Sequence, residues 1–195
     1  MPALLVQSLS LIFETAFGLF TGALLLRAYF PKVGVPFSHP LGRFVLALTN
    51  WLVLPVRKLM PGWRDWSGLD WASLACAWLA QLLLYTLLLS LRGALALKPE
   101  AAALLAGLGG LGCVSVALYG LFILILMQAI LSWVQPHSPA YGMLNALTAP
   151  IMRPFARRVP LVGGVDLSPI IVLVLLQIAI LCANALIGLW IGVWR

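Results

Sequence analysis

Residues 40–81 read PLGRFVLALTNWLVLPVRKLMPGWRDWSGLDWASLACAWLAQ, and residues 139–177 read PAYGMLNALTAPIMRPFARRVPLVGGVDLSPIIVLVLLQ. These are one design written twice. Pro40, Ala47, Leu48, Thr49, Pro55 and Pro61 match Pro139, Ala146, Leu147, Thr148, Pro154 and Pro160 at a constant shift of 99. After a shortened turn, Gly68, Asp70, Leu79 and Gln81 match Gly164, Asp166, Leu175 and Gln177 at a shift of 96. A duplicated unit of this length bounds the fold before any single residue is interpreted.

Composition places that unit in a bilayer. Hydrophobic residues make up 63% of the 195 and charged ones 9%, and the mean hydropathy is +1.08. So little polar surface cannot cover a soluble core, whereas a membrane removes the requirement. The reading is an all-α integral membrane protein. The net charge of +7 in a soluble chain would suggest nucleic acid, but these basic residues sit in short loops beside apolar spans, where the positive-inside rule accounts for them. No nucleic-acid partner through a folded site is therefore expected. Met1 to Ser10 holds no Lys or Arg, and the run that follows carries Glu14 and Arg27 with no Ala-x-Ala pattern, so it reads as a retained span and not a signal peptide. Cys76, Cys113 and Cys182 lie in apolar runs without Cys-x-x-Cys spacing. No disulfide frame, metal site or cofactor is expected from them.

Apolar runs of about twenty residues cross a core of about 30 Å. Four can be drawn, at 8–30, 71–91, 112–134 and 169–190. The first repeat then occupies 1–97 and the second 112–195, each with two spans, joined by a linker or short helix at 98–111. Gly107, Gly109, Gly110 and Gly112 predict a break ahead of the third span, or else a long helix that projects past the membrane. Lys32, Arg43, Arg57, Lys58 and Arg64 follow span one, and Arg153, Arg157 and Arg158 follow span three. The other side has Arg92, Lys98 and Arg195. The rich loops should be cytoplasmic and both termini outside, which makes the two repeats parallel.

Between the spans of each repeat lies a short amphipathic segment. Leu41, Phe44, Val45, Leu48 and Leu52 recur at helical steps while Arg43 and Asn50 fall elsewhere, as suits a helix lying in the headgroup plane; Met143 to Ile151 is its partner. His39-Pro40 and Ser138-Pro139 start these helices, and Pro55 and Pro154 are expected to end them. His39 and His137 thereby have a structural explanation, with no spaced second ligand for a metal.

The candidate working residues follow from this layout. Arg43, Arg57, Lys58, Arg153, Arg157 and Arg158 form basic patches that hold anionic headgroups at roughly 1 kcal/mol each, or dock an acidic partner. Asp70 and Asp166 cap the helices they precede. Gln81 and Gln177 lie eleven residues on, nearly three turns, and Asn184 continues the second stripe. Such a polar stripe serves interhelical hydrogen bonding or an ion path. Glu14 shares a face with Gly18 and Gly22, a Gly-x-x-x-Gly pair that permits close helix packing, and Arg27 can snorkel to the cytoplasmic surface. Nothing assembles a nucleophile, a base and an orienting group, so no catalytic residue is named and no enzyme is expected.

These residues carry a resemblance over almost the full length: the chain is similar to the YggT family of bacterial and plastid membrane proteins. That family's pattern is a span ending in Arg, a Pro helix start, Thr-x-Pro-x-x-x-Pro-x-Arg-Arg-x-x-Pro, then Gly-x-Asp-x-Ser-Pro. Arg27, Pro40, Thr49, Pro55, Arg57, Lys58, Pro61, Gly68 and Asp70 follow it in the first repeat. Pro139, Thr148, Pro150, Pro154, Arg157, Arg158, Pro160, Gly164, Asp166, Ser168 and Pro169 follow it in the second. Trp51 stands for the first Pro of repeat one, Ala72-Ser73 for Ser-Pro, Ala156 for an Arg and Gln128 for the span-end Arg. The resemblance implies a bacterial inner-membrane protein linked to haem attachment on cytochrome b6 and nucleoid distribution in plastids, and to cell division, osmotic tolerance and potassium uptake in bacteria. A non-enzymatic scaffold acting on lipid, partner membrane proteins or further copies of itself fits those links. A small potassium or proton channel or transporter is the alternative.

Overall fold

The computed structural model describes residues 3–59, 68–93, 100–158 and 168–193. Those residues form six helices and no strand: α1 (Ala3–Val33), α2 (Pro40–Leu59), α3 (Trp71–Leu91), α4 (Glu100–Val134), α5 (Pro139–Ala156) and α6 (Ser168–Val193). Four of them are long and apolar enough to cross a membrane, over Leu4–Val33, Trp71–Leu91, Ala102–Val134 and Ser168–Gly192. Helix is the only form open to such sequences in lipid, because every backbone amide and carbonyl must be paired within the segment.

Helix α1 packs most extensively on α3, and α4 on α6, while α3 against α4 joins the two pairs. The connecting helix α2 lies on α1 and α3, and α5 lies on α4 and α6. Each half has its own core. Leu24, Val53, Ala72 and Cys76 meet where α1, α2 and α3 converge. Ile125, Met152, Val172 and Leu176 do the same for α4, α5 and α6. A third cluster crosses between the halves, with Phe30 and Val35 against Met143 and Leu147, and there the Tyr29 hydroxyl donates to the Leu147 carbonyl at 3.1 Å.

Two expectations about helix ends and packing are corrected, and one open alternative is decided. First, Pro55 and Pro154 do not end their helices: α2 continues to Leu59 and α5 to Ala156. A proline removes one backbone hydrogen bond and crowds the preceding turn, but Val56 and Phe155 just beyond are packed into the α1–α3 and α4–α6 cores, which holds the last turn in place. Second, of the two alternatives for the α4 glycines, a break or a long helix, the structure takes the long helix. The helix is continuous for 35 residues, so 100–111 is its first third. At 1.5 Å per residue it is about 52 Å long and must tilt in, or project from, a core of about 30 Å.

At three of those glycines neighbouring side chains come close. A Cβ on Gly107 would lie 2.9 Å from the Trp190 ring, one on Gly109 3.1 Å from Trp78 Nε1, and one on Gly112 2.6 Å from Gln81 Oε1. The indoles also donate to this stretch, Trp78 to the Ala106 carbonyl at 3.1 Å and Trp190 to the Leu104 carbonyl at 3.3 Å. Third, within the chain Gly18 and Gly22 do not form a close packing seam. A Cβ on Gly18 meets nothing within 4 Å, and one on Gly22 meets only Val116 Cγ1 at 3.9 Å.

Candidate functional site

The most concentrated polar chemistry lies at the end of the spans where the connecting helices sit. Arg27, six residues before the end of α1, turns inward between α2 and α3 and is 2% exposed. Its Nη1 donates to Thr49 Oγ1 at 2.7 Å, and its Nε lies 3.8 Å from Asp70 Oδ2. Thr49 is fully buried and donates in turn to the Val45 carbonyl at 2.6 Å. Asp70 stands at the N-cap of α3, but its carboxylate makes no capping bond to the helix amides. It accepts instead from Ser73 Oγ at 2.7 Å and from the Arg57 guanidinium. Its backbone amide donates to the Ala28 carbonyl at 3.3 Å, which ties the start of α3 to the end of α1.

The arrangement answers a desolvation problem. A guanidinium withdrawn from water loses several kcal/mol unless its hydrogen bonds and charge are met. Arg27 is met by a hydroxyl from α2 and a carboxylate from α3, so its presence fixes both helices at once. The snorkelling expected of Arg27 is therefore overturned, because the inward partners satisfy it better than a reach to the surface. The capping expected of Asp70 is overturned for the same reason: two arginines and a serine outbid the helix amides for its oxygens. Two positive charges face one negative, and Arg57, whose side chain remains 41% exposed, carries the excess to the surface.

In the second half an amide stands where Arg27 stands in the first. Gln128 takes the place of the span-end arginine and is buried with Thr148. The Thr148 hydroxyl hydrogen-bonds Gln128 Oε1 and lies 2.9 Å from the Leu144 carbonyl. Gln128 Nε2 donates to Asn145 Oδ1 at 3.2 Å. Ser138 caps α5 through a bond from the Tyr141 amide at 3.1 Å, with Pro139 at the first helical position, as the sequence predicts. Asp166 lies outside the described residues.

Within the spans the polar side chains divide. Gln81 is buried and donates to Thr21 Oγ1 on α1 at 3.0 Å. Asn184 joins α6 to α4, donating to the Tyr119 hydroxyl at 3.1 Å and accepting from Ser115 Oγ at 3.2 Å. Gln177 is exposed. The polar side chains therefore serve helix pairing at Gln81 and Asn184, while Gln177 makes no hydrogen bond among the described residues. Glu14 is exposed on α1, where it lines a cleft of about 420 Å³ with Gln7, Ser10 and Arg92.

The basic residues also divide. Arg57 is engaged with Asp70. Arg43 is exposed and anchored by its Nε to the Ser38 carbonyl at 3.0 Å. Lys58, Arg153, Arg157 and Arg158 are exposed, and among the described residues none of the four makes an ion pair. Helix α2, which carries Arg43 and Lys58, presents apolar side chains outward: Phe44, Leu48, Trp51 and Leu54 are exposed although Val45, Thr49 and Val53 on the opposite face are buried. Trp51 stacks on Phe20 of α1 with ring centroids 5.6 Å apart. The described residues contain no group of His, Cys, Asp and Glu that could hold a metal ion.

Two residues central to this site, Thr49 and Thr148, were visible in the sequence only as matched positions of the repeat. Pairing each with the polar residue ending the preceding span, Arg27 or Gln128, is the signal that would have found the latch.

The family model described as CCB3/YggT matches residues 6–91 and again residues 109–187. The chain belongs to the CCB3/YggT family. Relatives in that family align along nearly the whole chain. An uncharacterized protein in the proC 3' region of Vibrio alginolyticus is 29% identical over 94% of this chain and 97% of its own length. The uncharacterized protein YggT of Escherichia coli K12 is 30% identical over 89% of this chain and 87% of its own. The uncharacterized protein PA0392 of Pseudomonas aeruginosa is 32% identical over 86% and 83%. No solved structure matches this CCB3/YggT chain.

Proposed function

We propose that this CCB3/YggT chain is a non-enzymatic, multi-pass scaffold or assembly factor of the bacterial inner membrane. Its working surface is the basic end formed where α2 and α5 connect the spans. In this reading the two halves are parallel repeats, α2 and α5 lie along the cytoplasmic headgroup plane, and both termini face outside. Anionic headgroups and partner membrane proteins are held by Lys58, Arg153, Arg157 and Arg158, with Arg43 at the opposite end of α2.

The observation that carries the proposal is the contrast in how charge is used. Gln128 and Gln81 are spent on neighbouring side chains, while Lys58, Arg153, Arg157 and Arg158 are exposed with no ionic partner among the described residues, and Lys58 shares α2 with the outward Phe44, Leu48 and Trp51. Basic residues next to outward apolar ones suit a surface where headgroups meet acyl chains.

The test is lipid selectivity. Lys58, Arg153, Arg157 and Arg158 are changed to Gln, and the fraction of anionic lipid bound to the purified protein is measured in mixed anionic and zwitterionic vesicles. Each charge contributes roughly 1 kcal/mol, about fivefold, so the quadruple variant should lose its preference while its helix content stays intact. Unchanged selectivity would refute the reading.

A small cation channel or transporter is the second reading, drawn from the exposed Glu14 and Gln177 in α1 and α6. It requires saturable potassium or proton flux in proteoliposomes that Asp166→Asn or Gln177→Leu abolishes. The scaffold reading expects no flux above empty vesicles.

A further inference from the structure

Helix α6 touches α4 and α5 and, among the described residues, no other helix. Along its free side Ile170, Val174, Gln177, Leu181 and Gly188 are all exposed. The spacing of four, three, four and seven residues keeps them on one stripe. Ile170, Val174 and Leu181 are each more than half exposed, and a Cβ on Gly188 would meet nothing within 4 Å.

In the middle of this stripe stands a carboxamide. Gln177 is nine residues beyond the start of α6, or about 13.5 Å along the axis, near the centre of a core of about 30 Å. It makes no hydrogen bond among the described residues. Its repeat counterpart Gln81 is 2% exposed and bonded to Thr21, so the first half satisfies at this position what the second half leaves open. Hydrocarbon offers neither donor nor acceptor, and an amide there must find a protein group.

We propose that the α6 stripe is the contact between two copies of this chain, related by an axis along the membrane normal and closed by reciprocal Gln177 hydrogen bonds. Three features select a second copy as the occupant. A primary carboxamide carries both an acceptor oxygen and donor hydrogens, so it complements itself. Two copies inserted in the same sense place Gln177 at the same depth. The flanking Val174 and Leu181 supply knobs on either side, and Gly188 leaves room for close approach toward the C-terminal end of α6. A buried amide in an apolar seam is also the device that fixes register in paired helices. The inference does not depend on what the basic surface binds.

The experiment uses the purified full-length chain in proteoliposomes. Single cysteines are placed at Val174, Leu181 and Leu175 in a background with Cys76, Cys113 and Cys182 changed to Ala. Leu175 is also exposed but lies on the far side of the free arc of α6. Oxidative crosslinking should join copies through position 174 and through position 181, and not through 175. Energy transfer between separately labelled copies should report a dimer, weakened about tenfold by Gln177→Leu and largely kept by Gln177→Asn. Gln177 is exposed and makes no hydrogen bond among the described residues, so loss of association is not loss of fold; circular dichroism of the variant checks this. Monomeric wild-type protein, crosslinking through 175 in place of 174, or association indifferent to Gln177→Leu would each overturn the proposal. The first result would assign the stripe to a different membrane protein.

Discussion

Changing Asp70 to Asn tests the charged latch directly. In the wild type the carboxylate faces Arg27, which is 2% exposed, Arg57, which is 41% exposed, and the buried Ser73. Neutralising it leaves the Arg27 guanidinium buried with only the Thr49 hydroxyl for company. Removing one partner of a buried ion pair costs about 3–5 kcal/mol. The Arg57 contact adds little, since a half-exposed pair is worth about 0–1 kcal/mol. The expected loss is therefore roughly 3–5 kcal/mol, nearly all of it assigned to the stranded Arg27. That assignment makes a second demand. Arg27→Gln should cost only about 1–2 kcal/mol alone, because Asp70 keeps Arg57 and Ser73. In the Asp70→Asn background it should restore at least half of the loss by reproducing the neutral pairing seen at Gln128 and Thr148. A coupling of about 2 kcal/mol or more between the two sites is expected from the double-mutant cycle. Reversible unfolding in mixed detergent micelles, followed by circular dichroism, supplies the four free energies. An Asp70→Asn variant within about 1 kcal/mol of wild type, or additive effects of the two changes, would refute the reasoning.

Gly112→Ala should destabilise by about 1–3 kcal/mol, since its Cβ would sit 2.6 Å from Gln81 Oε1 and overpacking of this kind forces neighbours to shift. Gly18→Ala should be neutral or stabilising by up to about 1 kcal/mol, because open space surrounds it and Ala is the better helix former; the same unfolding assay separates the two. Topology is checked with single cysteines at Lys32, Arg92 and Arg157 and an impermeant thiol reagent applied from outside. Only the Arg92 position should label, and labelling at the other two without it would invert the orientation.

The four long apolar helices and the two connecting helices were legible because each property that defines them is periodic or additive along the chain. Apolar length needs no partner to be read, and Ser138-Pro139 announces a helix start by local chemistry alone. What the sequence could not show is where a polar side chain turns when two places can satisfy it. Arg27 had a surface within reach and Asp70 had free amides in front of it, and both chose the other helix. Local rules for capping and snorkelling price only the near alternative, while the winning contacts span 22 residues from Arg27 to Thr49. The α4 glycines left a break and a long helix both open for a related reason. Low helix propensity is a property of the isolated segment, but Trp78, Gln81 and Trp190 come from elsewhere and convert the same residues into points of close approach. Of the candidate site, the exposed basic residues on α2 and α5 were legible, whereas the use of Arg57 by Asp70 was not.

The latch also imposes an order on how the chain can be built. Arg27 leaves the ribosome long before Asp70, and at about 5–20 residues per second the interval between them is on the order of seconds. Throughout that time the guanidinium has no buried carboxylate to meet and must stay in contact with water. The end of α1 is therefore held at the membrane surface until α3 has been synthesised, and α2 cannot settle beneath it any earlier. The Gln128 contact carries no such delay: Gln128, Asn145 and Thr148 are uncharged and lie on α4 and α5, so they can close before α6 exists. Biogenesis of the two halves is thus governed by different events, the arrival of a counter-charge in the first and simple proximity in the second.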